Sequence, residues 1–127
     1  MNIHCRRKGD ITVTSPRQEQ HNAKKAEWME KCFECYAENG LTGTGMKALA
    51  KACGCTPGNL YLYFDNLDDL IIQSTAYCME KVEDEFMAKA PTDPKDVVRF
   101  VAEVPYWTAR EHGKKYRLMY QVYTHLK

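Results

Sequence analysis

The stretch KACGCTPGNLYLYFDN, from Lys51 to Asn66, decides how the rest of the chain is read. Cys53-Gly54-Cys55, taken with Cys32 and Cys35 upstream, has the number of thiols of a four-thiolate zinc site. The same residues fit a tight bend between two helices, where small apolar side chains let the backbones approach. Gly54 breaks the pattern before it. Thr56-Pro57 then opens a new helix, with Thr as N-cap and Pro at the first helical position, where its missing N–H costs nothing.

The flanking periodicity favours the bend. Met46, Leu49, Ala50 and Cys53 recur with helical spacing along one apolar face, and Thr44 reads as the cap of that helix. After Pro57, Leu60 and Phe64 form an i, i+4 apolar pair. Upstream, Trp28, Met29, Cys32, Phe33, Cys35 and Tyr36 make a stripe among Lys and Glu residues. That stripe predicts a helix over 23–39, closed by Asn39-Gly40. Asn66 caps a long fourth helix, with Asp68 and Asp69 in its first turn where the helix dipole favours negative charge. Leu67, Leu70, Ile71, Ser74, Cys78, Val82 and Phe86 line its apolar face.

The segment from Ala90 to Pro94 reads as a loop. Val97, Phe100, Val101 and Val104 predict a fifth helix that Pro105 kinks or stops. Past Gly113, Tyr116, Met119, Tyr120 and Tyr123 repeat the helical spacing. No strand alternation or internal repeat occurs, so the expected fold is all-α.

Composition sets the class. A chain of 127 residues, 44% apolar and 28% charged, suits one globular domain with a real core. No apolar run approaches the ~18–20 residues of a membrane span. The basic N-terminus lacks the apolar stretch of a signal peptide, which points to a cytoplasmic location and reduced thiols for the six cysteines. Net charge is only +1. Residues 1–25 are more basic, with Arg6, Arg7, Lys8, Arg17, Lys24 and Lys25 against Asp10 and Glu19. That segment is either a solvated, disordered leader or an arm that lies along phosphates.

Two short helices joined by Gly54-Cys55-Thr56 fit a helix-turn-helix, which needs a short turn and a steep crossing. Ala50, Cys53 and Gly54 permit the close approach. In such a motif the second helix enters the major groove with its N-terminal residues toward base edges. Thr56, Pro57 and Asn59 are then best placed to reach them, and Gly58 lets the backbone come close. Asn can pair with adenine through two hydrogen bonds. Tyr61 and Tyr63 carry hydroxyls that can donate to phosphates.

From Gly40 to Leu70, GLTGTGMKALAKACGCTPGNLYLYFDNLDDL resembles the DNA-binding domain of the TetR family of bacterial transcriptional regulators. The matching positions are Gly40, Thr44, Leu49-Ala50, Gly54, then Gly58, Leu60, Tyr61 and Phe64, then Asp69 and Leu70. The resemblance reaches back over 23–39 and covers residues 91–127 only through helical spacing. It implies DNA contacts at Lys47 and Tyr61, and adds Thr44 to the candidate interface. It also implies a palindromic double-stranded operator, a homodimer, and a small-molecule effector that releases DNA, most simply as a repressor. Two positions depart from the family pattern. Leu67 stands where a phosphate-binding Lys is usual, and Gly45 where Thr or Ser is common. The expected layout is a flexible basic arm over 1–22, the helix-turn-helix domain over 23–66, and over 67–127 a linking helix with a partial, truncated regulatory domain. Tyr106, Trp107, Tyr116 and Tyr120 are candidates for the start of a ligand pocket, although such a stripe is also what a core looks like.

Three alternatives stand beside this. Cys32 and Cys35 lie inside a helical stripe rather than on a turn, so core packing is favoured over metal and no metal or cofactor is expected. Cys55, on the turn, is the candidate for a reactive thiol in a redox sensor. An all-α interaction or dimerisation module without regulated DNA binding is the third. No nucleophile–base pair, phosphate loop or H-E-x-x-H pattern is present, so the chemistry expected is binding, not catalysis.

Overall fold

The structure, a computed structural model, describes residues 15–126. They form five helices: α1 (Pro16–Asn39), α2 (Met46–Cys53), α3 (Pro57–Tyr61), α4 (Leu67–Ala88) and α5 (Pro94–Leu126), with no strand among the described residues. Arg6, Arg7 and Lys8 of the basic segment lie outside the described residues.

α1 begins at Pro16, not at Ala23 as the apolar stripe suggested. The Ser15 hydroxyl accepts the Gln18 N–H at 3.1 Å and Pro16 holds the first helical position. Residues 16–22 show no apolar period because all but His21 are exposed. At the far end Gly40 adopts φ 84°, and its N–H donates to the Tyr36 carbonyl at 2.8 Å.

One core joins all five helices. Trp28, Met29, Cys32, Phe33 and Tyr36 of α1 meet Leu49, Ala50 and Cys53 of α2, Leu60 of α3 with Phe64 just beyond it, and Leu70, Ile71 and Cys78 of α4. Leu118 and Val122 of α5 close the cluster. The expected apolar face of α4 is buried at Leu70, Ile71, Ser74, Cys78 and Val82, while Leu67 and Phe86 are half-buried.

α5 departs from expectation in two ways. Pro105 does not end the helix, and the break falls at His112, with φ −133° and ψ 22°. Pro105 is exposed, so water can take the carbonyl left without its usual N–H partner, and the helix tolerates the ring. The buried face after the break is Leu118 and Val122, whereas Tyr120 and Tyr123 are 63% and 57% exposed. Polar contacts join this last part of α5 to α1 and α4. Lys114 reaches Glu38 of α1 at 3.0 Å, and His125 lies 3.6 Å from Asp68 at the start of α4. Lys81 of α4 pairs with Glu30 of α1.

Candidate nucleic-acid interface

The bend is built by backbone bonds around Gly54. Its φ of 72° and ψ of 31° place it in the left-handed region, which L side chains enter only with strain. The Gly54 N–H donates to the Lys51 carbonyl at 3.1 Å and the Cys55 N–H to Ala50 at 2.9 Å. This pair of bonds closes α2 with a Schellman turn. Two residues later Thr56 caps α3, its hydroxyl accepting the Asn59 N–H at 3.4 Å, and Pro57 takes the first position. The chain therefore turns and restarts within Gly54-Cys55-Thr56.

α3 has two unlike faces. Leu60 and Phe64 are 0% and 1% exposed and lock the helix onto α1, α2 and α4. The helical path continues past Tyr61, with the N–H groups of Tyr63 and Phe64 both donating to the Leu60 carbonyl at 3.0 Å. On the outer side Thr56, Gly58 and Asn59 are exposed, Pro57 is half-buried, and Tyr61 is 52% exposed. Leu62, which the sequence reading passed over, is 76% exposed. Gly58 is not at positive φ, and a Cβ there would meet only the Thr56 hydroxyl oxygen, at 3.9 Å. Nothing inside the fold requires glycine at that position. Lys47 is exposed on α2.

Thr44 and Tyr63 are placed differently from expectation. The N-cap of α2 is Gly45, without a side-chain bond, so Thr44 is not the cap. Thr44 is 5% exposed and its hydroxyl donates to the Gly40 carbonyl at 2.8 Å. It pins the α1–α2 loop and does not share the outer face with Asn59. Tyr63 is half-buried and turned toward α1. Its ring stacks on His21 with centroids 4.3 Å apart and meets Trp28 edge-on at 4.8 Å. His21 joins the domain through this stack, a partnership with no signal in a polar stretch of sequence. Lys24 and Lys25 are drawn over the rings of Trp28 and Phe64 at 5.9 and 5.3 Å.

The cysteines do not form a four-thiolate cluster. Among the described residues no group of three or more His, Cys, Asp or Glu side chains is placed to hold a metal ion. Cys32 and Cys53 face each other, Sγ to Sγ 3.5 Å. Cys35 sits under the Asn39 amide. Cys55 is half-buried, and that burial raises its thiol above the ordinary value, against a role as the reactive one.

The four candidate pocket aromatics do not converge. Tyr116 lines an apolar groove of about 530 Å³ between α4 and α5, with Ile72, Met79, Phe86, Val104 and Met119. Tyr106 and Trp107 border a separate cleft beside Lys89 and Arg110, and Tyr120 lies beside the Gly40–Thr42 loop. Of the α4 side chains in the groove, the sequence reading singled out only Phe86, and as core; Ile72 and Met79 lie beside the predicted apolar face rather than on it.

Comparison with known proteins agrees with this geometry. Residues 30–73 match the model of bacterial regulatory proteins, tetR family. Over 80 residues the chain is 29% identical to a fatty acid metabolism regulator protein of Bacillus subtilis (strain 168), covering 60% of this chain and 41% of the relative. Over 74 residues it is 30% identical to the HTH-type transcriptional regulator AcrR of Shigella flexneri, covering 56% of this chain and 34% of the relative. The chain thus spans less than half the length of these two curated relatives. Among solved structures, a TetR family transcription regulator from Marinobacter aquaeolei VT8 superposes with TM-score 0.68 at 21% identity, over 85% of this chain and 57% of that one. The fatty acid degradation regulator FadR from Bacillus halodurans does so with TM-score 0.61 at 19% identity, over 89% and 61%. At those identities the likeness concerns the fold. Residues 30–73 thus carry a helix-turn-helix similar in sequence to the tetR family of bacterial regulatory proteins, and the helices of the chain share the fold of such regulators.

Proposed function

We propose that the chain is a sequence-specific DNA-binding transcriptional regulator that reads the major groove with α3 and answers to a small molecule. The observation that carries this is the outer face of α3. Its inner residues, Leu60 and Phe64, are wholly committed to the core, while Gly58, Asn59, Tyr61 and Leu62 stand out from a surface the fold does not use. Asn59 supplies a donor and an acceptor for a base edge, Tyr61 a phosphate donor, and Lys47 a cation from α2. Tyr63 contributes by bracing the helix against His21. A cytoplasmic location goes with this role.

Two copies are needed for a palindromic site, with recognition helices roughly 34–36 Å apart, one helical turn of DNA. Exposed Val98, Val101 and Tyr106 on α5 supply apolar surface for such an assembly. The groove between α4 and α5 is the effector site in this reading. α4 lines it and also carries Leu70, which packs in one cluster with Leu60 and Phe64, so an occupant that shifts α4 moves α3. The groove is mostly apolar. Two relatives are named for fatty acid metabolism or degradation, which makes an acyl chain the first ligand class to try.

Selection from a random-sequence DNA pool tests the reading. Enrichment of a palindrome, with protection of both half-sites, is the expected result. Failure to enrich any sequence at low or moderate salt would favour an interaction module that only dimerises.

A further inference from the structure

Cys32 and Cys53 come from different helices, 21 positions apart, yet their sulfurs lie 3.5 Å from each other inside the DNA-binding domain. Cys32 is 0% exposed in the middle of α1, and Cys53 is 7% exposed as the last residue of α2. All five described cysteines are free thiols. Among the hydrogen bonds of the described residues, this is the contact that joins two sulfurs. We propose that this pair is a modification site: a dithiol that a peroxide oxidises to a disulfide, stapling α1 to the hinge end of α2.

The pair is set up for that chemistry. The hydrogen bond between the two sulfurs lowers the Cys53 thiol below its ordinary value, with the Lys31 ammonium adding to the effect. The same bond, with burial, raises the Cys32 thiol above its ordinary value. Cys53 is therefore the more acidic thiol of the two, and it is the member that touches solvent. Cys78 is pushed up to about 11 by burial and Cys55 is also raised by burial, which leaves both less reactive.

The steps balance. The Cys53 thiolate attacks one peroxide oxygen and breaks the O–O bond. Hydroxide leaves and takes a proton as water, and Cys53 becomes a sulfenic acid. Cys32 sulfur then attacks Cys53 Sγ, the S–O bond breaks, and hydroxide leaves with the Cys32 proton as a second water. Two thiols have lost two electrons, and the peroxide has gained them.

Closing the bond draws the sulfurs from 3.5 Å to about 2.05 Å. The pull falls on the residue just before Gly54, whose left-handed turn sets where α3 starts. Oxidation therefore shifts the reading helix against its frame. This consequence rests on the DNA-binding reading above, but formation of the bond does not.

The test treats the full chain with hydrogen peroxide, blocks the remaining thiols with a maleimide, and maps linked peptides by mass spectrometry. A Cys32–Cys53 disulfide is expected, reversed by dithiothreitol. It should persist in Cys55→Ala and be lost in both Cys53→Ala and Cys32→Ala. Oxidation confined to Cys55 or Cys35, with Cys32 and Cys53 still reduced, would overturn the proposal. In a second arm, reduced and oxidised protein compete for a DNA site selected by the reduced form. About tenfold or greater weakening on oxidation is expected, absent in Cys53→Ala. Unchanged affinity with the bond formed would overturn the control of DNA binding. A reduced protein that selects no site would count against the DNA reading alone.

Discussion

The Tyr63 ring lies nearly flat on the imidazole of His21, 12° from parallel with centroids 4.3 Å apart. This stack ties the first turns of α1 to the end of the reading helix, and it gives the polar residues 16–22 a structural purpose. An aromatic contact of this kind contributes about 0.5–1.5 kcal/mol beyond area burial. His21→Ala should lower the urea midpoint by a matching amount, while His21→Phe should hold it. Equal stability of His21→Ala and the parent would show that the start of α1 does not support the domain.

Position 54 should favour glycine, for a reason that is purely backbone. A Cβ there would touch nothing within 4 Å, but φ is 72°. Gly54→Ala should therefore cost roughly 1–2 kcal/mol through left-handed strain alone. Thermal unfolding measures it. An unchanged melting temperature would mean that the turn relaxes to another geometry.

These two positions show what could be read from the sequence and what could not. The helix-turn-helix was legible because its signals are local: the Leu49, Ala50, Cys53 face, Gly54, and Thr56-Pro57 all lie within a few residues of each other. The start of α1 had a local signal too, since Ser15-Pro16 with Gln18 is a capping pattern, but no apolar stripe follows it to draw attention. Other features depend on what meets what in space. Leu118 and Val122 share helical spacing with the tyrosines around them, and only the presence of α1 and α4 selects them for burial. Thr44 looked like a cap because helix starts favour Thr, but a carbonyl one turn back captured its hydroxyl. The meeting of Cys32 with Cys53 is a tertiary fact, as is the groove that gathers Tyr116 and leaves out Tyr106.

Acid should loosen the entry to α4. Asn66 accepts the Asp69 N–H at 2.8 Å, and Asp69 in turn accepts from Gln73 and from the Asp65 N–H, both at 2.9 Å. The Gln73 bond first, then the Asp65 N–H, hold the Asp69 carboxyl below its ordinary value of 3.8. A carboxyl depressed by folding stabilises the protein above its unfolded value, and that contribution is lost as pH falls through the folded one. The urea midpoint should thus be flat from neutral pH to about 5 and drop below about 4. The group is mostly exposed, so its share is small. Asp69→Asn should make the acid limb shallower; an identical limb would assign the loss to other carboxylates.

The central claim is that the outer face of α3 reads bases, and Asn59 is the residue on that face able to do so through a paired donor and acceptor. The most direct measurement compares Asn59→Ala with the parent on a selected operator and on random DNA at one fixed salt concentration. A loss of about 1–3 kcal/mol on the operator with little change on random DNA is the predicted result. Equal loss on both, or none on either, would contradict it.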